Sequence, residues 1–154
     1  MSKILIFTLA ALYYSSLFAQ SSSIKITGMK SEKEWKEILT SEEYRILREK
    51  GTEAPNSGTY NLHFENGQYL CNGCKTELFE SNSKFKSSCG WPSFDDAISG
   101  KVIERKDNTF GMIRTEILCA NCEGHLGHVF NDGPTNTGIR YCVNSISMDF
   151  INKD

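Results

Sequence analysis

Apolar residues recur at helical spacing in two short stretches near the start of the chain, and each stretch follows a capping signal. Ser31 and Glu34 form the pattern of a capping box, in which each side chain bonds a backbone N–H of the other residue. Thr40 and Glu43 repeat this pattern. The apolar faces that follow comprise Trp35, Ile38 and Leu39, then Tyr44, Ile46 and Leu47. The pattern therefore predicts two short helices, with Gly51 as the residue that stops the second.

After residue 51 the pattern changes to the alternation of apolar and polar residues that is typical of strands. Alternation over residues 60–65, followed by Asn66-Gly67 and then by residues 68–71, predicts a hairpin with a type I′ turn. Further strands are predicted over 101–104, 110–118 and 138–150. No long helical period follows residue 51, so the chain is predicted to be mainly β with short N-terminal helices.

The first stretch, MSKILIFTLAALYYSSLFAQ, has a different composition. Lys3 precedes a short apolar run, and Ala19 can be the last residue before a cleavage site, as in a secretory signal peptide. The run is short for a membrane span. We therefore expect export to the periplasm or the exterior, with an uncleaved N-terminal membrane anchor as the alternative. The expected divisions are a signal peptide at 1–19, a flexible segment at 20–30 and one domain at 31–154.

Composition excludes some classes of partner. The 154 residues are enough for one domain, and the apolar fraction of 39% and charged fraction of 23% are ordinary for a globular protein. The net charge is −2 and no polybasic run is present, so we expect no nucleic-acid partner. We expect a monomer.

Four of the six cysteines form two Cys-x-x-Cys pairs, Cys71/Cys74 and Cys119/Cys122. In an exported protein, six cysteines by number alone favour three disulfides. Two matched pairs are instead typical of a tetrahedral zinc site. We favour one structural Zn²⁺ per chain, with disulfides involving these four residues as the alternative. Because protein thiolates would fill all four positions, the metal would have no site for a substrate.

Cys142 belongs to neither pair. If residues 138–150 form one strand, Arg140, Cys142 and Asn144 lie on the same face, together with Ile146 and Met148. A guanidinium beside a thiol favours the thiolate and lowers its pKa. Asn144 can donate or accept a hydrogen bond near the sulfur. These neighbours favour a nucleophile, and a buried structural cysteine is the alternative.

Cys89 lies in the segment SSCGWPSF, whose glycine and proline predict a turn near the surface. A second thiol on a loop suits a resolving cysteine, which converts a sulfenic acid to a disulfide; a structural disulfide between Cys89 and Cys142 is the alternative. Trp91 belongs either to the core or to the wall of a pocket. His125 and His128, in the predicted loop GHLGHVF, could donate a proton to a leaving oxygen.

Taken in order, five segments resemble the type B methionine sulfoxide reductases, which reduce the R epimer of methionine sulfoxide. The segments are 42–60, 71–85, 89–98, 114–134 and 137–150, and the resemblance covers most of the chain from about residue 31. It implies two antiparallel sheets in a tent-like half barrel with helices packed outside. It also implies an oxidoreductase that repairs oxidised methionine in proteins or peptides under oxidative stress.

The resemblance implies a role for each candidate residue. Cys142 would be the nucleophile that becomes a sulfenic acid, and Cys89 would resolve it as a redox-active disulfide for a thioredoxin-like reductant. Trp91 would hold the substrate methyl group. The pocket and proton-transfer residues would be His125, His128, Arg140 and Asn144, and the zinc ligands would be Cys71, Cys74, Cys119 and Cys122. From the residues alone, a zinc module without chemistry and a disulfide-stapled binding domain remain alternatives.

Overall fold

The computed structural model describes residues 29–153. The predicted signal peptide, 1–19, and most of the predicted flexible segment, 20–30, lie outside the described residues. Within residues 29–153, every helix is too short or too polar to cross a membrane.

Both predicted helices are present, as α1 (Glu32–Ile38) and α2 (Ser41–Leu47), and both capping boxes are formed. In the first box the Ser31 N–H donates to Glu34 at 2.7 Å, and the Glu34 N–H donates to the Ser31 hydroxyl at 3.3 Å. Trp35 is buried in the core, whereas Ile38, expected on the same apolar face, is 53% exposed. The left-handed residue after α2 is Lys50 (φ 59°), one position before the predicted stop.

Within residues 29–153, nine strands form two antiparallel sheets, which confirms the predicted mainly β class. The smaller sheet has the order β2-β1-β9 and contains β1 (Gly67–Cys71), β2 (Glu77–Glu80) and β9 (Met148–Asn152). The larger has the order β3-β4-β8-β7-β6-β5 and contains β3 (Lys84–Phe85), β4 (Ser93–Phe94), β5 (Val102–Asp107), β6 (Arg114–Cys119), β7 (His125–Phe130) and β8 (Arg140–Val143). Neither sheet closes into a barrel within the described residues.

The predicted hairpin over residues 60–71 is wrong. Residues 60–66 form turns and irregular backbone, and the first strand begins only at Gly67. Tertiary contacts override the local alternation, because the Tyr60 N–H bonds the Ser145 hydroxyl at 3.1 Å and the Tyr60 ring packs edge-on against Tyr69. The strand predicted over 110–118 also starts late, at Arg114, because the chain turns at Phe110.

The strand predicted over 138–150 is two strands in different sheets. A short 3₁₀ turn, Ser145–Ser147, separates β8 from β9. The turn is held from outside, since the Glu53 carboxylate accepts the N–H groups of Ser145 at 2.8 Å and of Ile146 at 2.6 Å. Ile146 and Met148 therefore do not share a strand face with Cys142, contrary to the prediction.

The core lies between the two sheets and under the helices. Phe79 of β2 and Phe94 of β4 stack with ring centroids 4.4 Å apart, which joins the smaller sheet to the larger one. Trp35 of α1 belongs to the same buried cluster. β4 pairs with β8 in the larger sheet, and the candidate site is built on those two strands.

Candidate active site and metal cluster

Cys142 lies in the middle of the larger sheet, opposite His128 of β7 on one side and Ser93 of β4 on the other. The strands approach closely beside it. A side chain at Gly127 would place its Cβ 2.0 Å from the Cys142 carbonyl oxygen, so only glycine fits there. The sheet therefore sets a histidine directly beside the candidate nucleophile.

The Cys89 sulfur lies 3.7 Å from the Cys142 sulfur, and both are free thiols. Burial first, and the nearby Cys89 second, raise the pKa of Cys142 to about 12, and Arg140 only partly opposes them. The net lowering expected from Arg140 is therefore not found. Burial also acts to raise the pKa of Cys89, but hydrogen bonds from Ser87 and Ser93 outweigh it and leave that pKa lowered. In the resting dithiol, Cys89 is the more acidic partner.

The charge of Arg140 is largely engaged elsewhere. Its guanidinium forms two bonds of 2.8 Å to the Asp132 carboxylate and lies 4.5 Å from the centre of the Phe130 ring. The paired carboxylate raises the pKa of Arg140, which stays protonated. This arrangement explains why burial dominates the ionisation of Cys142.

A pocket of about 120 Å³ opens onto Cys142. The residues that line it include Thr52, Trp91, His128, Phe130, Cys142 and Asn144. Trp91 thus stands in a pocket wall rather than in the core, and its indole N–H donates to the Glu53 carbonyl at 3.3 Å. The pocket is large enough for the end of one side chain and no more. Four of the predicted site residues meet here: Trp91, His128, Cys142 and Asn144.

His128 is held by a carboxylate that the sequence did not indicate. Its Nε2 lies 2.8 Å from Asp107, which also accepts bonds from Arg114 and from the backbone and hydroxyl of Thr109. These bonds, those of Thr109 first, hold the pKa of Asp107 well below its usual range. The ionised carboxylate can only accept, so Nε2 of His128 carries the hydrogen and Nδ1 is left as an acceptor.

His125 lies behind the pocket rather than in its lining. The predicted loop GHLGHVF is strand β7, and His125 is only 2% exposed. Its Nδ1 lies 2.8 Å from Glu116, which in turn bonds Lys50 at 2.7 Å. Burial lowers the pKa of His125, so it is neutral near pH 7. Its ring centroid lies 5.6 Å from that of His128, which makes it a support for that residue.

Asn144 is fixed at both ends of its amide. Its Nδ2 donates to the Leu126 carbonyl at 3.1 Å, and its Oδ1 accepts the Glu53 N–H at 3.0 Å. Asn144 therefore shapes the pocket more than it offers free hydrogen bonds. No local pattern could have indicated Glu53, because its partners lie about ninety residues further along the chain.

A second cleft, of about 320 Å³, opens onto Cys89 rather than onto Cys142. Lys86, Ser87, Pro134 and the Asp132–Arg140 ion pair line it. The two sulfurs are thus approached from two separate openings, and Arg140 belongs to the second.

The four paired cysteines form one cluster. The sulfurs of Cys71, Cys74, Cys119 and Cys122 all lie within 4.8 Å of one another, with closest separations of 3.6 and 3.5 Å. Tetrahedral zinc with bonds of about 2.3 Å would separate its ligands by about 3.8 Å. The cluster therefore fits a metal ion of that size held by four sulfurs.

Each pair of cysteines lies in the same kind of turn. The Lys75 N–H donates to the Cys71 carbonyl at 2.7 Å, and the Glu123 N–H donates to the Cys119 carbonyl at 2.9 Å. Lys75 (φ 60°) and Glu123 (φ 54°) take the left-handed conformation. The matched turns bring the two pairs face to face.

Comparisons with known proteins agree with this arrangement. A family model described as the SelR domain matches residues 39–152. The peptide methionine sulfoxide reductase MsrB of Agrobacterium fabrum is 55% identical over 122 residues, covering 79% of this chain and 90% of that protein. The probable methionine-R-sulfoxide reductase B of Caenorhabditis elegans is 50% identical over 124 residues, covering 79% of this chain and 82% of that protein.

Proposed function

The chain belongs to the SelR family of type B methionine sulfoxide reductases, and from that membership we propose that it is an oxidoreductase that repairs proteins by reducing the R epimer of methionine sulfoxide. The observation that carries the proposal is the pair of thiols, 3.7 Å apart, of which Cys142 faces a pocket with Trp91 in its wall. That pocket accepts a side-chain end, and the thiols supply two electrons.

In the first step, the Cys142 sulfur attacks the sulfoxide sulfur, and the oxygen ends on Cys142 as a sulfenic acid while methionine leaves. The substrate sulfur gains two electrons and Cys142 loses two. The proton of the thiol becomes the proton of the sulfenic hydroxyl, so the step needs no external proton. Because the pKa of Cys142 is raised to about 12, the thiol must give its proton to a nearby base as the sulfur attacks.

We assign the proton relay to His128 rather than to His125. His128 lines the pocket and lies opposite Cys142 in the sheet, whereas His125 is buried behind it. Because Asp107 holds the hydrogen on Nε2, Nδ1 can take the thiol proton and pass it to the sulfoxide oxygen. Trp91 would contact the methyl group of the substrate in this pose.

In the second step, Cys89 attacks the oxidised sulfur of Cys142, a disulfide forms and water leaves. The lowered pKa of Cys89 suits this role, because the attacking group must be a thiolate. A disulfide measures about 2.05 Å, so the sulfurs must approach by about 1.6 Å from their separation of 3.7 Å. A thioredoxin-like dithiol then reduces the disulfide, and the second cleft gives it access to Cys89.

We propose zinc as the ion of the four-cysteine cluster. Four thiolates suit zinc, which would stabilise the fold without an open position for a substrate. The residues that would hold it are Cys71 and Cys74 of one turn and Cys119 and Cys122 of the other. We also propose that residues 1–19 direct export, so that the repaired proteins lie outside the cytoplasm.

Turnover of separate epimers tests the proposed function. Purified protein should reduce a peptide carrying R methionine sulfoxide in the presence of dithiothreitol, and it should leave the S epimer unchanged. Replacement of Cys142 by serine should abolish the reaction. Equal turnover of both epimers, or none with the R epimer, would contradict the proposal.

A further inference from the structure

The hairpin that joins β5 to β6 ends in an exposed apolar tip. Phe110 is 90% exposed, Ile113 is 82% exposed and Met112 is 46% exposed. We call these three residues the apolar tip. Single exposed apolar residues are common on protein surfaces, but three within four positions form a patch that calls for an explanation.

The backbone of the tip is unfavourable for the residue it carries. Phe110 takes the left-handed conformation at φ 54°, which a bulky side chain rarely adopts, and Gly111 follows at φ 70°. Glycine or asparagine would fit the Phe110 position better. Because this side chain is almost fully exposed, packing within the described residues does not account for an aromatic there.

The tip is connected to the pocket through one carboxylate. One oxygen of Asp107 accepts the Thr109 N–H at 2.9 Å and the Thr109 hydroxyl at 2.6 Å, which fixes the start of the tip. The other oxygen bonds His128 and Arg114, each at 2.8 Å, and both of these residues line the pocket. The tip therefore ends one residue before Arg114, which lines the pocket, and the Asp107 carboxylate links the start of the tip to His128.

The small pocket limits what it can hold. A volume of about 120 Å³ admits the end of a methionine sulfoxide side chain, so the rest of a polypeptide substrate must lie outside it. Methionine is mostly a core residue, so its neighbours are often apolar. When a damaged protein unfolds, the segment that carries the oxidised methionine exposes these apolar neighbours. Such an exposed apolar segment is the partner that suits the apolar tip.

We propose that the apolar tip binds apolar side chains that lie next to the oxidised methionine in a polypeptide substrate. The proposal rests on the proposed reductase function. The flanking residues contact Phe110 and Ile113 while the methionine sulfoxide enters the pocket beside Trp91.

The test compares two substrates and two variants. The small substrate is the R epimer of methionine sulfoxide with an acetylated N-terminus and an amidated C-terminus. The second substrate is a peptide in which the R epimer of methionine sulfoxide has a leucine on each side. The test variant combines Phe110→Ser with Ile113→Ser, and the control is Ile151→Ser, which removes an exposed isoleucine from β9 in the other sheet. The readout is the KM of the peptide divided by the KM of the small substrate.

This ratio should rise about tenfold in the double variant, as expected when two large apolar contacts are half lost, and stay at the wild-type value in the control. An unchanged ratio in the double variant, with the R epimer still reduced, would overturn the tip proposal and leave the reductase function standing. A tip that served a membrane surface or a second copy of the chain would give that result. If the wild-type protein turned over neither substrate, both proposals would be overturned.

Discussion

Replacing Glu53 by glutamine should weaken the segment that follows the nucleophile. The Glu53 carboxylate accepts the N–H groups of Ser145 and Ile146, and its own N–H and carbonyl hold Asn144 and Trp91. Glutamine keeps the size and the backbone bonds but offers only one accepting oxygen. One of the two N–H groups would then face an amide N–H, and that bond would be lost.

The expected cost is about 2 kcal/mol. A hydrogen bond to a charged group contributes about 1.5–3 kcal/mol, and we take a low value because Glu53 is partly accessible. For a domain of this size, that loss lowers the melting temperature by about 8 °C. The value of kcat/KM for the R epimer should fall as well, because the backbone next to Asn144 loses a support.

Thermal unfolding and steady-state kinetics on the same preparations measure both effects. Glu104→Gln is the matched control, since Glu104 is an exposed residue of β5 and its replacement should change stability by less than about 0.5 kcal/mol. If Glu53→Gln melts at the temperature of the Glu104→Gln variant, Glu53 does not hold the turn and the reasoning is refuted.

Three further predictions follow from the contacts around the site. Removal of metal by a chelator, or Cys119→Ser, should unfold the domain, because a structural zinc site contributes on the order of 10 kcal/mol to folding. Metal analysis together with circular dichroism measures this effect, and a metal-free protein with the melting temperature of the native protein would disprove the prediction. Asp107→Asn should lower the free energy of unfolding by about 2 kcal/mol at pH 7. This loss should shrink as pH falls below 3.8, because the pKa of Asp107 in the folded state lies below that unfolded value. Denaturant titrations at several pH values measure the loss, and a loss that does not depend on pH would count against the prediction. Gly127→Ala should destabilise the domain by several kcal/mol, because the alanine Cβ would lie 2.0 Å from the Cys142 carbonyl oxygen. Gly100→Ala is the control: the space around Gly100 is open, so this change should destabilise the domain by about 1 kcal/mol in the same unfolding assay, and equal losses would refute the steric clash.

The features that could be predicted from sequence are those with a local signal. Capping boxes at Ser31 and Thr40 act over three residues, and both helices are present. Paired cysteines at fixed spacing indicated the metal cluster before any fold was known. The order of the motifs indicated the family, and the family model agrees.

The predictions that were wrong concern features that depend on contacts between residues distant in sequence. The strand predicted over 138–150 breaks because Glu53, remote in sequence, binds the N–H groups of the turn. The effect of Arg140 on Cys142 was overestimated, since alternation along a strand reveals neither the Asp132 partner nor the burial of the thiol. Asp107 could not be predicted because the β5–β6 and β6–β7 pairings together bring it to His128.

A single turnover without reductant tests the central claim most directly. Fully reduced protein is mixed with excess R epimer in a peptide, and methionine and disulfides are then quantified by mass spectrometry. We expect one methionine per chain and a disulfide between Cys89 and Cys142, with the four clustered cysteines still reduced. Methionine produced without that disulfide, or a disulfide that involves the cluster instead, would contradict it.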